Sequence, residues 1–397
     1  MRGGALAVQL HEVLPAARRR RNSCSGYRCL PVVHPGRKQN DLMTKTLPAH
    51  ASSTDRDFRK KRHPTVIDVA AHASVAVGTV SRYLNGHPIR RNNRTQIERA
   101  IEALGYTRNA VAASMKTEER HIVGMLLPNI GEFHAGLLEQ VSRKMRRTGR
   151  AVMSYCHDLD SRSIMEGIDF FRTHRVDAIV MDGVFEVADH LRLAVEDGLE
   201  VLLFDNDIPG LPADRVFVNN RQASRHGVEH LLQLNHTRIA TISGNQRDTA
   251  GQNRLAGYLD ALAEHDLEAD PALILSGDWK ETGGYEAMRR LMALDSRPSA
   301  IFAANYNMTI GALDWCHEHN VRIPQDLSII SFDDVPAFRL HRPGITAIGQ
   351  PLEELAEAIT TVLAARFERS VQHLHRELTV KCHLTLRGST GRHRPQK

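Results

Sequence analysis

The stretch "TVIDVAAHASVAVGTVSRYLNGH", Thr65 to His87, holds two short helical patterns separated by only Ala73, Ser74 and Val75. Val69 with Ala73, then Val80 with Leu84, recur at the i, i+4 spacing that lines one face of a helix. Ile97, Ile101 and Leu104 continue the rhythm, so the sequence predicts three short helices with a tight turn between the first two. This is the pattern of a helix-turn-helix, whose second helix lies in the major groove of DNA with its early side chains at base edges. Here that helix runs from about Val77 to Leu84. Val77 and Gly78 open it, Thr79 and Ser81 offer hydroxyls to phosphate oxygens, and Arg82 can bond guanine O6 and N7 bidentately. A generic three-helix bundle fits the same pattern, and the local charge is what weighs toward DNA.

That charge is unevenly placed. The chain of 397 residues carries a net charge of +6, but residues 1–118 hold 21 Lys and Arg against 8 Asp and Glu, while the remainder holds 31 against 38. A basic excess confined to one end calls for a polyanion partner there. Residues 1–62 show no sustained period and contain "RRRR" (Arg18–Arg21) and "FRKKRH" (Phe58–His63). They read as a disordered basic arm or, if translation starts at Met43, partly as an artefact of start assignment. The whole chain is 42% hydrophobic and 25% charged, the content of an ordinary folded protein. Five scattered cysteines argue against a disulfide framework, and no apolar run is long enough to span a bilayer, so a cytoplasmic, nucleoid-associated protein without membrane contact is expected.

From His121 onward, short β-rich runs alternate with longer helical stretches: "HIVGMLLP", "RAVMSYC", "DAIVMD", "EVLLFD", "RIATIS", "AIFAAN" and "LSIISFDD". Each is continuous and apolar, as expected of parallel strands covered on both faces. About ten such units exceed what one open sheet comfortably holds, so the sequence predicts an α/β body of two doubly wound lobes. No close repeat relates the two halves.

The residues of the N-terminal unit resemble a known family. "TVIDVAAHASVAVGTVSRYLNG" and "RTQIERAIEALGYTRNAVAASM" look like the DNA-binding headpiece and hinge of the LacI (lactose-repressor-like) family of bacterial transcription regulators. The resemblance continues through "VEHLLQLNHTRIATISG", "RLAGY", "IFAAN" and "PQDLSIISFDDVP" to about Arg387. It implies a headpiece over residues 63–108, a hinge helix over 109–118 and a two-lobe, periplasmic-binding-protein-like effector and dimerisation domain over 119–388, with a disordered tail from 389. It further implies that Thr65, Val77, Gly78, Thr79, Ser81, Arg82, Asn85, Asn109, Ala112 and Met115 meet DNA. Met115 stands where an apolar wedge, usually Leu, enters the minor groove as two subunits pair. Ser74-Val75-Ala76 replaces the family's usual Gly-Val-Ser, Arg90 stands where a Ser often caps the third helix, and Arg108 replaces a Pro.

In open α/β sheets ligands bind beyond the carboxyl ends of the strands, which here offer Asn129, Phe133, Asp182, Asp205, Asn305 and Asp333. Carboxylates and amides can bond several hydroxyls at once while an aromatic face packs on a sugar ring; the same Asp and Asn residues can equally be helix caps. The resemblance implies effector contacts at Phe133, Asp205, Arg254, Trp279, Asn305 and Asp333, with Tyr306 departing from a common Asp and "NIGEFHAG" from the usual Asn-Pro-Phe-Phe.

No phosphate-cradling glycine motif, nucleophile elbow or zinc-protease pattern occurs, so neither an enzyme nor a cofactor is expected. Cys316 and His319 share a helix face, but a buried cysteine beside solvated His and Glu explains them. Cys156-His157-Asp158 are chain neighbours that seldom point together. The expectation is a homodimeric regulator, a repressor of carbohydrate genes, that binds pseudo-palindromic double-stranded operator DNA and answers to a sugar or sugar derivative. A nucleobase effector, or a solute-binding protein without gene control, are the alternatives. The C-terminal segment has no heptads, so no tetramerising coil is expected.

Overall fold

The computed structural model describes residues 64–107, 120–157, 160–368 and 374–394. The basic arm and the expected hinge helix, with Asn109, Ala112 and Met115, lie outside the described residues.

The headpiece is α1 (Val66–His72), α2 (Val77–Leu84) and α3 (Arg91–Leu104). A capping box starts α1: the Asp68 N–H donates to Thr65 Oγ1 and the Thr65 N–H to Asp68 Oδ2 at 2.7 Å. Ala76 and Arg90, which precede α2 and α3, give no side-chain cap, so the first N–H groups of both helices lack that partner. Ser74 sits in the turn at φ +52°, the left-handed region where the family's glycine would be unstrained. α3 ends on Gly105 in the same region. Val69, Ala73, Val80, Ile97, Ala100 and Tyr106 form the core of this unit. The Tyr83 hydroxyl and Arg94 Nε both donate to Glu98 Oε1, at 3.1 and 3.0 Å, tying α2 to α3.

The first lobe contains β1 (Ile122–Leu127), α4 (Glu132–Arg147), β2 (Ala151–Cys156), α5 (Ser161–Thr173), β3 (Ala178–Asp182), α6 (Ala188–Glu196), β4 (Glu200–Phe204) and β5 (Asp214–Val218). The second runs through α7 (Asn220–Gln233), β6 (Ile239–Ser243), α8 (Thr249–Ala263), β7 (Ile274–Ser276), α9 (Glu281–Met292), β8 (Ala300–Ala303), α10 (Tyr306–Glu318), β9 (Ser328–Phe332), α11 (Pro336–Leu340) and β10 (Thr346–Gly349). The chain then returns to the first lobe in α12 (Leu352–Phe367) and β11 (Glu377–Val380), and ends in the second with β12 (His383–Thr385). The sheet orders are β11-β5-β4-β3-β1-β2 and β12-β10-β9-β8-β6-β7. Every pairing is parallel except β10 with β12. Separate apolar clusters cover the two faces of each sheet, which is why the strand runs are apolar throughout.

Three crossings join the lobes: at Asn219, at Gln350–Pro351 and at Lys381–Cys382. The Asn219 N–H donates to the Val380 carbonyl at 3.0 Å, and the Cys382 N–H to Asn219 Oδ1 at 2.8 Å, so the first and third crossings are bonded together. Among the described residues no helix is long and apolar enough to cross a membrane.

The expected disordered tail is corrected over residues 389–394. Ser389 is fully buried; its Oγ donates to the Ile329 carbonyl at 2.6 Å and accepts from the Thr346 N–H at 2.8 Å. The His393 N–H donates to the Leu234 carbonyl at 2.8 Å. An extended segment held by backbone bonds needs no apolar period, so its order leaves no hydropathy signal.

Candidate functional site

Two surfaces carry the sequence-predicted residues. On the headpiece, α2 turns Val80 inward and leaves Val77 44% exposed, with Gly78 and Arg82 exposed and Thr79 and Ser81 half-buried beside them. A Cβ added at Gly78 would meet nothing, so this end of the helix is open to close approach. Thr65 is committed to its cap with Asp68.

The second site lies where the lobes face each other, at the carboxyl ends of both sheets. Its centre is Arg254 on α8, only 4% exposed. Arg254 Nε donates to Asn220 Oδ1 at 2.8 Å and Nη1 to the Ala304 carbonyl at 2.7 Å, while the guanidinium lies 3.7 Å from the Phe332 ring centroid and 5.3 Å from that of Trp279. Asp205 approaches it from the first lobe, Oδ1 to Nη2 at 3.8 Å. Asp333 follows β9; it accepts from Gln350 Nε2 at 2.7 Å and, more weakly, from the Tyr306 N–H at 3.4 Å. Asp248 caps α8 through the Gly251 N–H and accepts from Trp279 Nε1 at 2.8 Å.

Burial raises every carboxylate in this group. Asp182 is pushed well above the usual carboxylate range by burial and then by the charge of Asp205. Asp205 and Asp333 are raised by burial, with Arg254 opposing, and burial lifts Asp248 to about 6. Burial lowers His134 to about 4, with Asp333 opposing, so it is a neutral imidazole. Three atoms of this region, His134 Nε2, Asp205 Oδ1 and Gln350 Oε1, are buried without a hydrogen-bond partner. Unmet polar atoms in a cleft are those a polar ligand can satisfy.

Of the predicted contacts, Arg254, Trp279, Asn305, Asp205 and Asp333 are thus brought together. Phe133 packs on the apolar core of the first lobe, edge-on to His134 at 5.1 Å, and it is His134 that feels the charge of Asp333. Asn305 caps α10 through the Met308 N–H at 2.9 Å and holds the Trp279 carbonyl with Nδ2 at 3.2 Å, so its amide is largely spent on structure. Asn129 closes its own loop on the Gly131 N–H. His134, Asn220 and Asp248 escaped the sequence reading because none directly follows an apolar run; Gln350 does follow one, β10, but that short strand was not among the runs named. A helix-cap Asp (Asp248) six residues before an Arg inside an apolar helical pattern was the available signal.

Contacts across the cleft run through Asn206, which is buried. Its Nδ2 donates to Asp182 Oδ1 at 3.0 Å and its Oδ1 accepts from the Ala250 N–H of the second lobe at 2.7 Å. The Asp207 N–H donates to Thr249 Oγ1 at 2.9 Å beside it. On the other side the Tyr306 oxygen accepts from the Glu132 N–H. Elsewhere, Cys316 is buried with its thiol pushed up to about 12, and His319 stacks on Trp315 at 4.0 Å.

Residues 65–109 match the family model of the bacterial regulatory proteins, lacI family, and residues 228–390 that of the periplasmic binding protein-like domain. The ribose operon repressor of Haemophilus influenzae is 27% identical over 328 residues, spanning 82% of this chain and 98% of its own length. A solved transcriptional regulator CelR–cellobiose complex is 26% identical with a TM-score of 0.64, covering 82% of this chain and 99% of that one. The Lac repressor dimer bound to operator and the anti-inducer ONPF shares the fold at 22% identity and a TM-score of 0.74, covering 83% of this chain and all of the other.

Proposed function

We propose that the chain, with its lacI-family headpiece match and its periplasmic binding protein-like domain, is a DNA-binding regulator of the LacI family rather than an enzyme, and that it is a homodimeric repressor whose hold on a pseudo-palindromic operator is set by a sugar or sugar derivative bound between its lobes. In this reading residues 63–108 read DNA, residues 109–118 form the hinge with Met115 as its wedge, and residues 119–388 sense and dimerise. Val77, Gly78, Thr79, Ser81, Arg82 and Asn85 face the major groove, with Arg82 reading a guanine and Val77 meeting a thymine methyl. Asn109 and Ala112 join the hinge contacts, and Thr65 supports the groove-side backbone from its cap. The protein acts in the cytoplasm, at the nucleoid.

The observation that carries the sensing half is Arg254, buried at the lobe interface with aromatic faces on it and acidic groups of both lobes around it. Lobe closure by a ligand moves α8 against the end of β4, and that motion reaches the dimer interface and the hinge. Support for a carbohydrate comes from relatives named for ribose and solved with cellobiose.

Fluorescence anisotropy of the full chain on a selected operator, with and without a panel of sugars, tests the reading. Two chains per duplex and a sugar-dependent change in affinity are expected. Arg82→Ala should weaken operator binding by about 1–3 kcal/mol and relax preference at one base pair. One chain per site, or an Arg82→Ala variant with wild-type affinity and preference, would sink it.

A further inference from the structure

The first-lobe wall of the cleft is built for a donor that the protein itself does not supply. Asp182 closes β3 and Asp205 follows β4, and these strands pair with Asp182 opposite Phe204, so the two carboxylates leave neighbouring strands side by side. The demands of their acidic neighbours are already met: Asp248 accepts from the Gly251 and Trp279 N–H groups, and Asp333 from Gln350 and the Tyr306 N–H. Asp182 has the Asn206 amide on Oδ1, but Asp205 Oδ1 is buried and accepts no hydrogen bond.

Arg254 does not fill that gap. Its Nη2 stops 3.8 Å short of Asp205, because Nε and Nη1 are anchored on Asn220 and Ala304 and the guanidinium is held over Phe332. Among the described residues Arg254 is the cation that bears on Asp205, Asp248 and Asp333; the imidazole of His134 is neutral. With both carboxyls ionised the wall would hold more negative charge than Arg254 neutralises, an excess that burial makes costly and that a proton on Asp182 relieves until a cation takes its place.

Resting on the reading of this cleft as the effector site, we propose that its ligand is a polyhydroxylated amine, an amino sugar in chemical class, whose ammonium sits between Asp182 and Asp205 while its hydroxyls face Arg254, His134 and Gln350. An ammonium brings several N–H donors and a full charge to the same point and lets both carboxyls ionise, whereas a hydroxyl brings one donor and no charge. A uronate or a sugar phosphate would add an anion to a low-dielectric site lined by four acidic side chains and one cation, and is disfavoured. His134 Nε2 and Gln350 Oε1, both buried and unbonded, are one nitrogen and one carbonyl oxygen suited to ring hydroxyls.

The test is calorimetric titration of the full chain at pH 7 with matched gluco, galacto and manno series in which a single position carries an amine, a hydroxyl or, at C6, a carboxylate. An amino sugar is expected to bind at least about tenfold more tightly than its neutral parent. That ratio should shrink as pH rises through the amine's own pKa, a readout that needs no variant, and Asp205→Asn should reduce it to within about threefold. A neutral sugar or a uronate that binds more tightly than its amino counterpart overturns the proposal and leaves the sugar-effector reading standing. A panel in which no member binds overturns both.

Discussion

On α2 of the headpiece Val77 and Arg82, offered to a partner, stand in solvent; in the cleft, Arg254 is buried and its nitrogens are largely bonded to the protein itself. The two surfaces solve opposite problems. DNA arrives with its own charge and counterions, so a reading surface can stay unpaired and be neutralised by its partner. A closed cleft must hold its charges together before any ligand comes, and what it leaves unmet, such as Asp205 Oδ1, is its specification for the ligand.

Arg254→Ala tests that contrast most severely. It leaves Asp205, Asp333 and the Asn220 amide facing a void, and should destabilise the two-lobe body by about 3–5 kcal/mol while α1–α3 keep their hydrogen-exchange protection. Denaturant unfolding reads the loss; a change below about 1 kcal/mol would mean that the guanidinium is not the organising charge.

A smaller effect is expected in the headpiece turn. Ser74→Gly relieves a left-handed residue at φ +52° and should stabilise the α1–α2 unit by about 1 kcal/mol. Amide exchange of Val69 and Val80 in the full chain would then slow about fivefold. Unchanged or faster exchange would show that the turn carries no strain.

A pH-dependent effect concerns His134. Its folded pKa of about 4 lies below the value of about 6.5 in the unfolded chain, so between these the unfolded state binds more protons. The contribution of His134 to stability therefore rises as pH increases through that window. The buried carboxylates act in the opposite sense, so the wild-type curve alone is uninformative. The difference in melting temperature between wild type and His134→Gln should climb from pH 4 to pH 6.5 and level off above it. A flat difference would place His134 in solvent.

What could be read ahead of the structure follows the same division. Helix spacing located α2 at Val77–Leu84, and the departures at Ser74, Ala76 and Arg90 correspond to a strained turn and two helix starts without side-chain caps. Local rules govern all of these. The seven apolar runs are strands, whereas β5, β7, β10, β11 and β12 were not named: most are short, β5 alternates in burial, and β11 is largely exposed. In the cleft, residue type and strand-end position found Asp205 and Asp333. They could not tell that Asn305 is spent on a cap or that His134, not its neighbour Phe133, feels Asp333, because those facts depend on packing between segments far apart in the chain.

The order of the last strands sets when this protein can be finished. The first sheet is completed by β11 and the second by β12, the two strands only residues apart and following all the others, and Ser389 then seals the second lobe. During synthesis the headpiece emerges whole and can fold early, since domains form in order as they leave the ribosome. Neither lobe can complete its sheet until β11 and β12 have been made, so a product cut short before them would hold the DNA-reading part without a complete sensor to govern it.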